Sequence, residues 1–483
     1  MKRIIRIIRI ISISVIFAYA ILFNMLFSYA QELNASYFST LPQASKFNPA
    51  LTSNSRLYFN IPIISKFSLQ LNTSGYAWKD LINQDPICRD SLRVDFDGFL
   101  DKLKDNNHFA TDFSTEIFGF GFGLGKNYFT FDISLNFAGK LYFSKSVIDF
   151  IVNGTDMSKQ NVDLFDGNFV DAMAYLTTAI GYSGQINDNL KVGAKFKIYN
   201  GIANIKTERT KLNLNFDGEE ISAYSDVLIN TSIAFGSFTK SNSLIDDDDF
   251  DFTDADDGDI SSNVMKNKGF GFDIGAVYQL NENMQISASI VDIGKITWES
   301  NPQSIRSKNP NQRIVFSGVR TTYETIVDDL DGYFSDMADS LQNALDLEIV
   351  DRNSYSASMP TKIYVGYSWQ FQKNLYLDAL YGGRIYGGEY QQSLMVNCGL
   401  KYKILNLSVG NMFHSMGSVF NPGIFLSLSN VFYVGANFSK SFNLAKTHGL
   451  GVYFGMNISI GKINKKSKKI DTTPQEEYIN EDN

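Results

Sequence analysis

Between Ile117 and Gly125 every second residue from Gly119 is glycine, and Phe118, Phe120, Phe122 and Leu124 fill the places between. After a tight turn the same two-residue period returns in Phe129, Phe131, Ile133, Leu135 and Phe137, whose alternate neighbours are Thr130, Asp132, Ser134 and Asn136. It recurs through 192–198, 363–371 and 450–460. A period of two sets successive side chains on opposite faces of a strand, so each run has one greasy face and one polar or glycine face. A soluble sandwich alternates too. Strand length and the content of the polar face separate the two. Runs of about 9–14 residues match a tilted strand crossing a hydrocarbon layer, whereas strands of globular sheets cluster near 5–6. The polar faces carry Gly, Ser, Asn and Tyr rather than the Lys and Glu of a soluble surface. A sheet in lipid must close on itself, because an open edge leaves backbone groups unpaired. The expectation is an all-β chain, a transmembrane antiparallel up-and-down β-barrel.

Short and long connections alternate, as such barrels require. Tight turns are predicted at Gly125-Lys126-Asn127, Asn187-Asp188-Asn189, Asn281-Glu282-Asn283, Lys373-Asn374 and Leu405-Asn406, with long polar loops at about 79–113, 145–173, 237–266, 300–360 and 414–421. The strand count depends on 190–236. Read as one long excursion it gives fourteen strands; broken into three spans at Asn200-Gly201 and Asp217-Gly218, both hairpin signals, it gives sixteen. Short helices are expected in the long loops. Phe96, Phe99, Leu100 and Leu103 share one helical face, and Ile326, Leu330, Phe334, Met337, Leu341 and Leu345 share another.

The N-terminus adds an address. Lys2, Arg3, Arg6 and Arg9 precede an apolar run ending in Ser28-Tyr29-Ala30, the pattern of a secretory signal cleaved after Ala30. Its removal takes four of the 43 Lys and Arg, leaving 39 against 51 Asp and Glu, so the mature balance is −12 and nucleic acid is excluded as a partner. Cys88 and Cys398, the only cysteines, match no metal motif. The predicted organisation is a signal peptide over 1–30, an N-terminal segment over 31–62, a barrel over 63–461 and a periplasmic tail over 462–483.

The stretches "SYFSTLPQASKFNPAL" (36–51), "FNIPIISKFSLQLNTSG" (59–75), "FGFDIGAVYQL" (270–280) and "SASIVDIGKITWES" (287–300) resemble an outer-membrane barrel family of Bacteroidota, a domain of unknown function. Asn48-Pro49-Ala50 is the most specific element of that resemblance. It implies a fold and an outer-membrane location of a Gram-negative cell, but no chemistry. More distantly the chain is similar to long-chain fatty-acid transporter-like barrels, which have fourteen strands and an N-terminal segment inserted in the lumen. Here 36–62 suits that place. Phe38 and Phe47 make it apolar, while Pro42, Pro49 and Pro62 spoil it as a wall strand, so Phe38, Phe47, Asn48 and Pro49 are the candidate plug residues.

Chemistry is sparse. His108, His414 and His448 are the only histidines, and His414 and Ser415, as neighbours in a strand, point to opposite faces and make no dyad. The acidic run 246–259 fails the calcium-loop pattern, since Thr253 and Ala255 stand where ligands belong. No catalytic residue, metal site or cofactor is predicted. Tyr142, Tyr364, Tyr433 and Tyr453 face inward and are candidate lumen residues, as ligand platforms or as filler. Three roles fit: restricted passage of a small or apolar solute, binding of a periplasmic or surface protein as in a secretion-system shuttle or anchor, or a structural barrel. Outer-membrane lipid is the one certain surrounding partner of such a fold.

Overall fold

The computed structural model describes residues 41–84, 91–153, 161–216, 221–239, 250–252, 259–310, 313–316, 347–414 and 421–462. Fourteen antiparallel wall strands form a closed barrel. In chain order they are β1 (Ser55–Asn60 with Phe67–Thr73), β2 (Asn106–Leu124), β3 (Asn127–Ser144), β4 (Val170–Gln185), β5 (Leu190–Phe216) and β6 (Lys268–Asn281). There follow β7 (Met284–Trp298), β8 (Thr361–Trp369), β9 (Leu375–Tyr386) and β10 (Glu389–Tyr402). The last four are β11 (Leu405–His414), β12 (Pro422–Leu428), β13 (Phe432–Ser439) and β14 (Gly449–Lys462). Closure is made by β1, whose two pieces each pair with β2 on one side and β14 on the other: Tyr58 lies opposite Gly121 and Ser459, Gln70 opposite Asp112 and Gly451.

The wall is turned inside out relative to a soluble protein. Ile180, Phe270, Val409 and Ile460 are more than half exposed on its outside, while Asp273 and Asn457 are buried within. Apolar surface left in water costs about 25 cal/mol per Å², so an outward belt on every strand is stable only against hydrocarbon.

The count of fourteen rests on β5. It pairs with β6 as far as Asn200 and with β4 as far as Lys206, and from Ala203 to Phe216 it also pairs with Ile221–Ile233, running on beyond the wall after Lys206. Asn200-Gly201, read as a hairpin signal, lies inside the strand, and the sixteen-strand alternative is overturned. Glycine is required there for another reason: a Cβ on Gly201 would sit 2.3 Å from the Trp298 ring. Asp217-Gly218 falls outside the described residues, although Phe216 and Ile221 are paired across it. The segments Pro302–Ser307, Arg313–Phe316 and Leu347–Asp351 extend this outer sheet past the barrel rim.

Three further expectations change. β11 already begins at Leu405, so the turn read at Leu405-Asn406 is at Lys403-Ile404, with Lys403 at φ 55°. A sixth short turn, with Ser429 at φ 53°, joins β12 to β13 and carries no Asn-Gly signal. The wall begins at Ser55, not at 63: Phe59 faces out and Tyr58 is buried inside, so alternation outweighs the flanking proline. The helix expected near Phe96 forms as α2 (Phe96–Lys102), after α1 (Trp78–Leu81), and packs Phe99, Leu100 and Leu103 with Ile148 and Val152 of α3 (Lys145–Asn153). The helical pattern at 326–345 lies outside the described residues, as do Cys88 and most of 246–259 and 462–483.

A closed barrel resists detergent until boiled. The purified protein is expected to migrate faster on a denaturing gel unheated than heated; identical migration would mean the sheet does not close.

Candidate functional site: the charged lumen and the segment within it

Residues 41–54 run inside the barrel. A 3-10 helix over Pro42–Lys46 starts them, with proline in its first turn, where a missing N–H is harmless. Gln43 donates from Nε2 to the Ser65 carbonyl (2.9 Å) and to Asn457 Oδ1 (2.7 Å). Phe47 packs on Val291, Leu380, Met395 and Met412, with the Tyr364 ring edge-on at 5.9 Å. Leu41 packs on Phe425, Tyr433 and Tyr453.

Asn48-Pro49 meets the wall where two glycines stand side by side. Gly193 of β5 and Gly275 of β6 are cross-strand partners. A Cβ on Gly193 would lie 2.4 Å from the Pro49 carbonyl carbon, and one on Gly275 2.1 Å from Asn48 Oδ1. Over this shelf Asn48 Nδ2 donates to the Ala276 and Ala288 carbonyls (3.2 Å each), Asn48 Oδ1 accepts from the Ala50 N–H (2.9 Å), and Ser289 Oγ donates to the Phe47 carbonyl (2.6 Å). Glycine here serves close backbone approach rather than a turn.

Ion pairs complete the attachment. Lys46 Nζ lies 3.2 Å from Glu116 and 2.8 Å from Asp132, and Lys195 reaches Asp132 at 3.2 Å. Lys197 bridges Asp273 (2.8 Å) and Asp292 (2.6 Å). Asp292 reaches the lumen because of a bulge: β7 carries an extra residue opposite Phe272–Ile274, and Asp292 takes φ 60°. Val291 and Asp292 therefore both turn inward, an established use of bulges. Across the lumen Arg384 holds Asp112 with two bonds of 2.7 and 2.8 Å.

Of these groups Lys46, Asp132, Lys195, Lys197, Asp292, Arg384 and Asp112 line a cavity of about 110 Å³, together with Lys66, Lys362, Tyr175 and Tyr364. Serines and amides (Ser68, Gln70, Ser114, Asn136) share its lining. Toward the long loops the lumen is filled by buried Tyr175, Tyr199, Trp298, Tyr355, Met359 and Tyr386.

Of the predicted tyrosines, Tyr364 lines the cavity, while Tyr433 and Tyr453 are buried against Leu41. Tyr142 stands nearer the long-loop rim with Lys140 Nζ 4.3 Å from its ring centre. Of the predicted inner residues, Phe47, Asn48 and Pro49 come together on the wall, and Phe38 lies outside the described residues. Sequence reasoning missed the lumen charges. Their signal was present, since ionisable residues within membrane strands are costly and mark the interior, and Glu116, Asp132, Lys195, Lys197 and Asp273 all sit on polar faces. His448, in the loop before β14, is buried beside Lys440 (3.1 Å); burial and that charge push its imidazole down to about 4. His414 ends β11, and Ser415 is outside the described residues.

Replacing Lys46 with methionine leaves the Glu116 carboxylate buried without its cation. Loss of one partner of a buried pair costs about 3–5 kcal/mol, so Lys46→Met is expected to release 41–54 to limited proteolysis. Lys46→Met/Glu116→Gln should recover much of the protection. Equal protection in all three proteins would mean the ion pairs do not hold the segment.

Among solved structures the chain is similar to the Ralstonia pickettii toluene transporter TbuX (10% identity, 87% of this chain and 94% of that one covered, TM-score 0.41). It is also similar to the Pseudomonas putida toluene transporter TodX (10%, 90% and 98%, 0.39) and a Pseudomonas aeruginosa FadL homologue (11%, 89% and 98%, 0.42). The comparison with curated proteins yields no match. A family model described as "Family of unknown function (DUF5723)" matches residues 49–437, and the chain belongs to that family.

Proposed function

We propose that this is an outer-membrane barrel whose own segment 41–54 plugs the lumen, and that it passes a small solute only when the plug shifts. The seating of Asn48-Pro49 on the Gly193/Gly275 shelf carries this reading. A chain lying loosely in an open pore would have no need of two paired glycines or of wall carbonyls to accept its side-chain bonds. The apolar belt and the secretory start support the location, with the short turns in the periplasm and the long loops outside.

The cavity favours a polar solute within this class. An apolar molecule crossing it would strip water from Lys197, Asp292, Arg384 and Asp112 without replacing their partners, and such desolvation is costly. A second reading, a partner-binding barrel, is favoured by the outer sheet built on residues 207–216 and 221–233, which extends past the pairing of β5 with β4 and β6. Catalysis has no place in either reading.

In planar bilayers the intact protein is expected to conduct little, and deletion of 41–54 should raise conductance to that of an open pore. Liposome swelling with small polar solutes should rise with it. Large, steady conductance from the intact protein would remove the plug; a closed pore in the deletion variant would remove passage as the function.

A further inference from the structure

The outward row of β6 is Phe270, Phe272, Ile274, Ala276, Tyr278 and Leu280, and the next outward residue beyond Phe270 is Lys268. Ten residues at about 3.4 Å, tilted about 45°, give a belt near 24 Å tall, which is the apolar height of an outer-membrane barrel. Lys268 therefore stands where hydrocarbon gives way to headgroups, at the long-loop rim. On the neighbouring strand Ile293 faces out below Lys295, and Lys295 is the cross-strand partner of Phe270. Lys266, the last residue of α4 (Asp259–Lys266), lies two residues before Lys268.

The three lysines line one shallow pocket on the outer surface with Gly269, Phe270, Thr297 and Glu299. Lys268 and Lys295 are exposed, and among the described residues neither ammonium has a hydrogen bond or ion pair. Lys266 Nζ donates to Asn263 Oδ1 at 3.0 Å. Glu299 is the single carboxylate in the lining, against three cations. Directly beneath, Phe270 and Phe272 are 57% and 54% exposed on the same face.

We propose that this rim binds a phosphorylated glycolipid of the outer leaflet, its phosphate between Lys268, Lys295 and Lys266 and an acyl chain over Phe270, Phe272 and Ile293. A free phosphate would use the cations but not the apolar wall below them. A lipid without phosphate would use the wall but leave the ammonium groups unpaired. Only a phosphate carried on acyl chains matches both parts at once. Thr297, opposite Lys268 in the register, adds a hydroxyl at the same height. The assignment rests on the proposed location and orientation, because it needs the long-loop rim to face the outer leaflet.

Native mass spectrometry of the full mature barrel in detergent tests it, with bisphosphorylated lipid A, dephosphorylated lipid A, phosphatidylglycerol and inorganic phosphate as the added probes. Bisphosphorylated lipid A should be retained over the other lipids, and Lys268→Gln/Lys295→Gln should weaken retention roughly tenfold or more, given the usual gain per basic residue at an anionic surface. Lys373→Gln/Lys403→Gln, at the opposite rim, should leave it unchanged. Equal retention of dephosphorylated lipid A or phosphatidylglycerol, equal binding by the Lys268/Lys295 variant, or displacement by inorganic phosphate would each overturn the proposal. Membrane fractionation, run beside it, separates the two failures. Protein absent from the outer membrane sinks the location, whereas protein present there with indifferent lipid binding sinks only this site.

Discussion

Backbone hydrogen bonding in a medium without water is the constraint on which everything else in this molecule depends. Each N–H and C=O of a wall strand must find a partner on the next strand, and the first strand must find one on the last. β1 meets that demand twice, since Ser55–Asn60 and Phe67–Thr73 each bond to β2 and to β14. Between them, at 61–66, the strand leaves the ladder but the bonds continue: the Ile63 N–H donates to the Glu116 carbonyl and the Met456 N–H to that of Ile64 (2.7 and 3.1 Å). The Ser65 carbonyl, released from the wall, accepts from Gln43 of the inner segment. The point where the wall is interrupted is thus also a point where its contents are tied.

Closure makes an interior, and the interior is electrostatically crowded. Charges at this depth are stable only as pairs, and the pairs found here join distant parts of the chain: Lys46 with Asp132, Lys197 with Asp273 and Asp292, Arg384 with Asp112. Such bonds fix which strands share the cavity and hold the 3-10 helix at one height. The glycine shelf adds shape to charge. Gly193 and Gly275 leave a shallow recess that only a chain running close to the wall can fill, and Asn48 fills it with bonds to two wall carbonyls.

Much of this was legible in the sequence. Alternation located the long strands, Asn and Gly marked several short turns, and Pro42 and Pro49 lie in the inner stretch, whereas Pro62 falls in the break of wall strand β1. What escaped had local physical causes. A bulge shifts phase by one residue, so the strand through Ile290, Val291, Asp292 and Ile293 reads as a faltering alternation although it delivers Asp292 to Lys197. Gly201 has the composition of a hairpin but serves the Trp298 ring, a contact across almost a hundred residues. The turns at Lys403 and Ser429 bend through positive φ on residues that seldom take it. Lys195 and Lys197 alternate with Ala194, Phe196 and Ile198, and nothing local shows that their partners, Asp132 and Asp273, lie more than sixty residues away.

The central claim is that residues 41–54 are seated against the inner wall of a closed barrel. A photoreactive benzophenone in place of Phe47, activated in membranes and mapped by mass spectrometry, tests it most directly. Phe47 packs against Met395 of β10 and Met412 of β11, so crosslinks are expected on those strands, more than 340 positions away in the chain. Crosslinks to lipid, to a second copy or to no site on the wall would contradict the account.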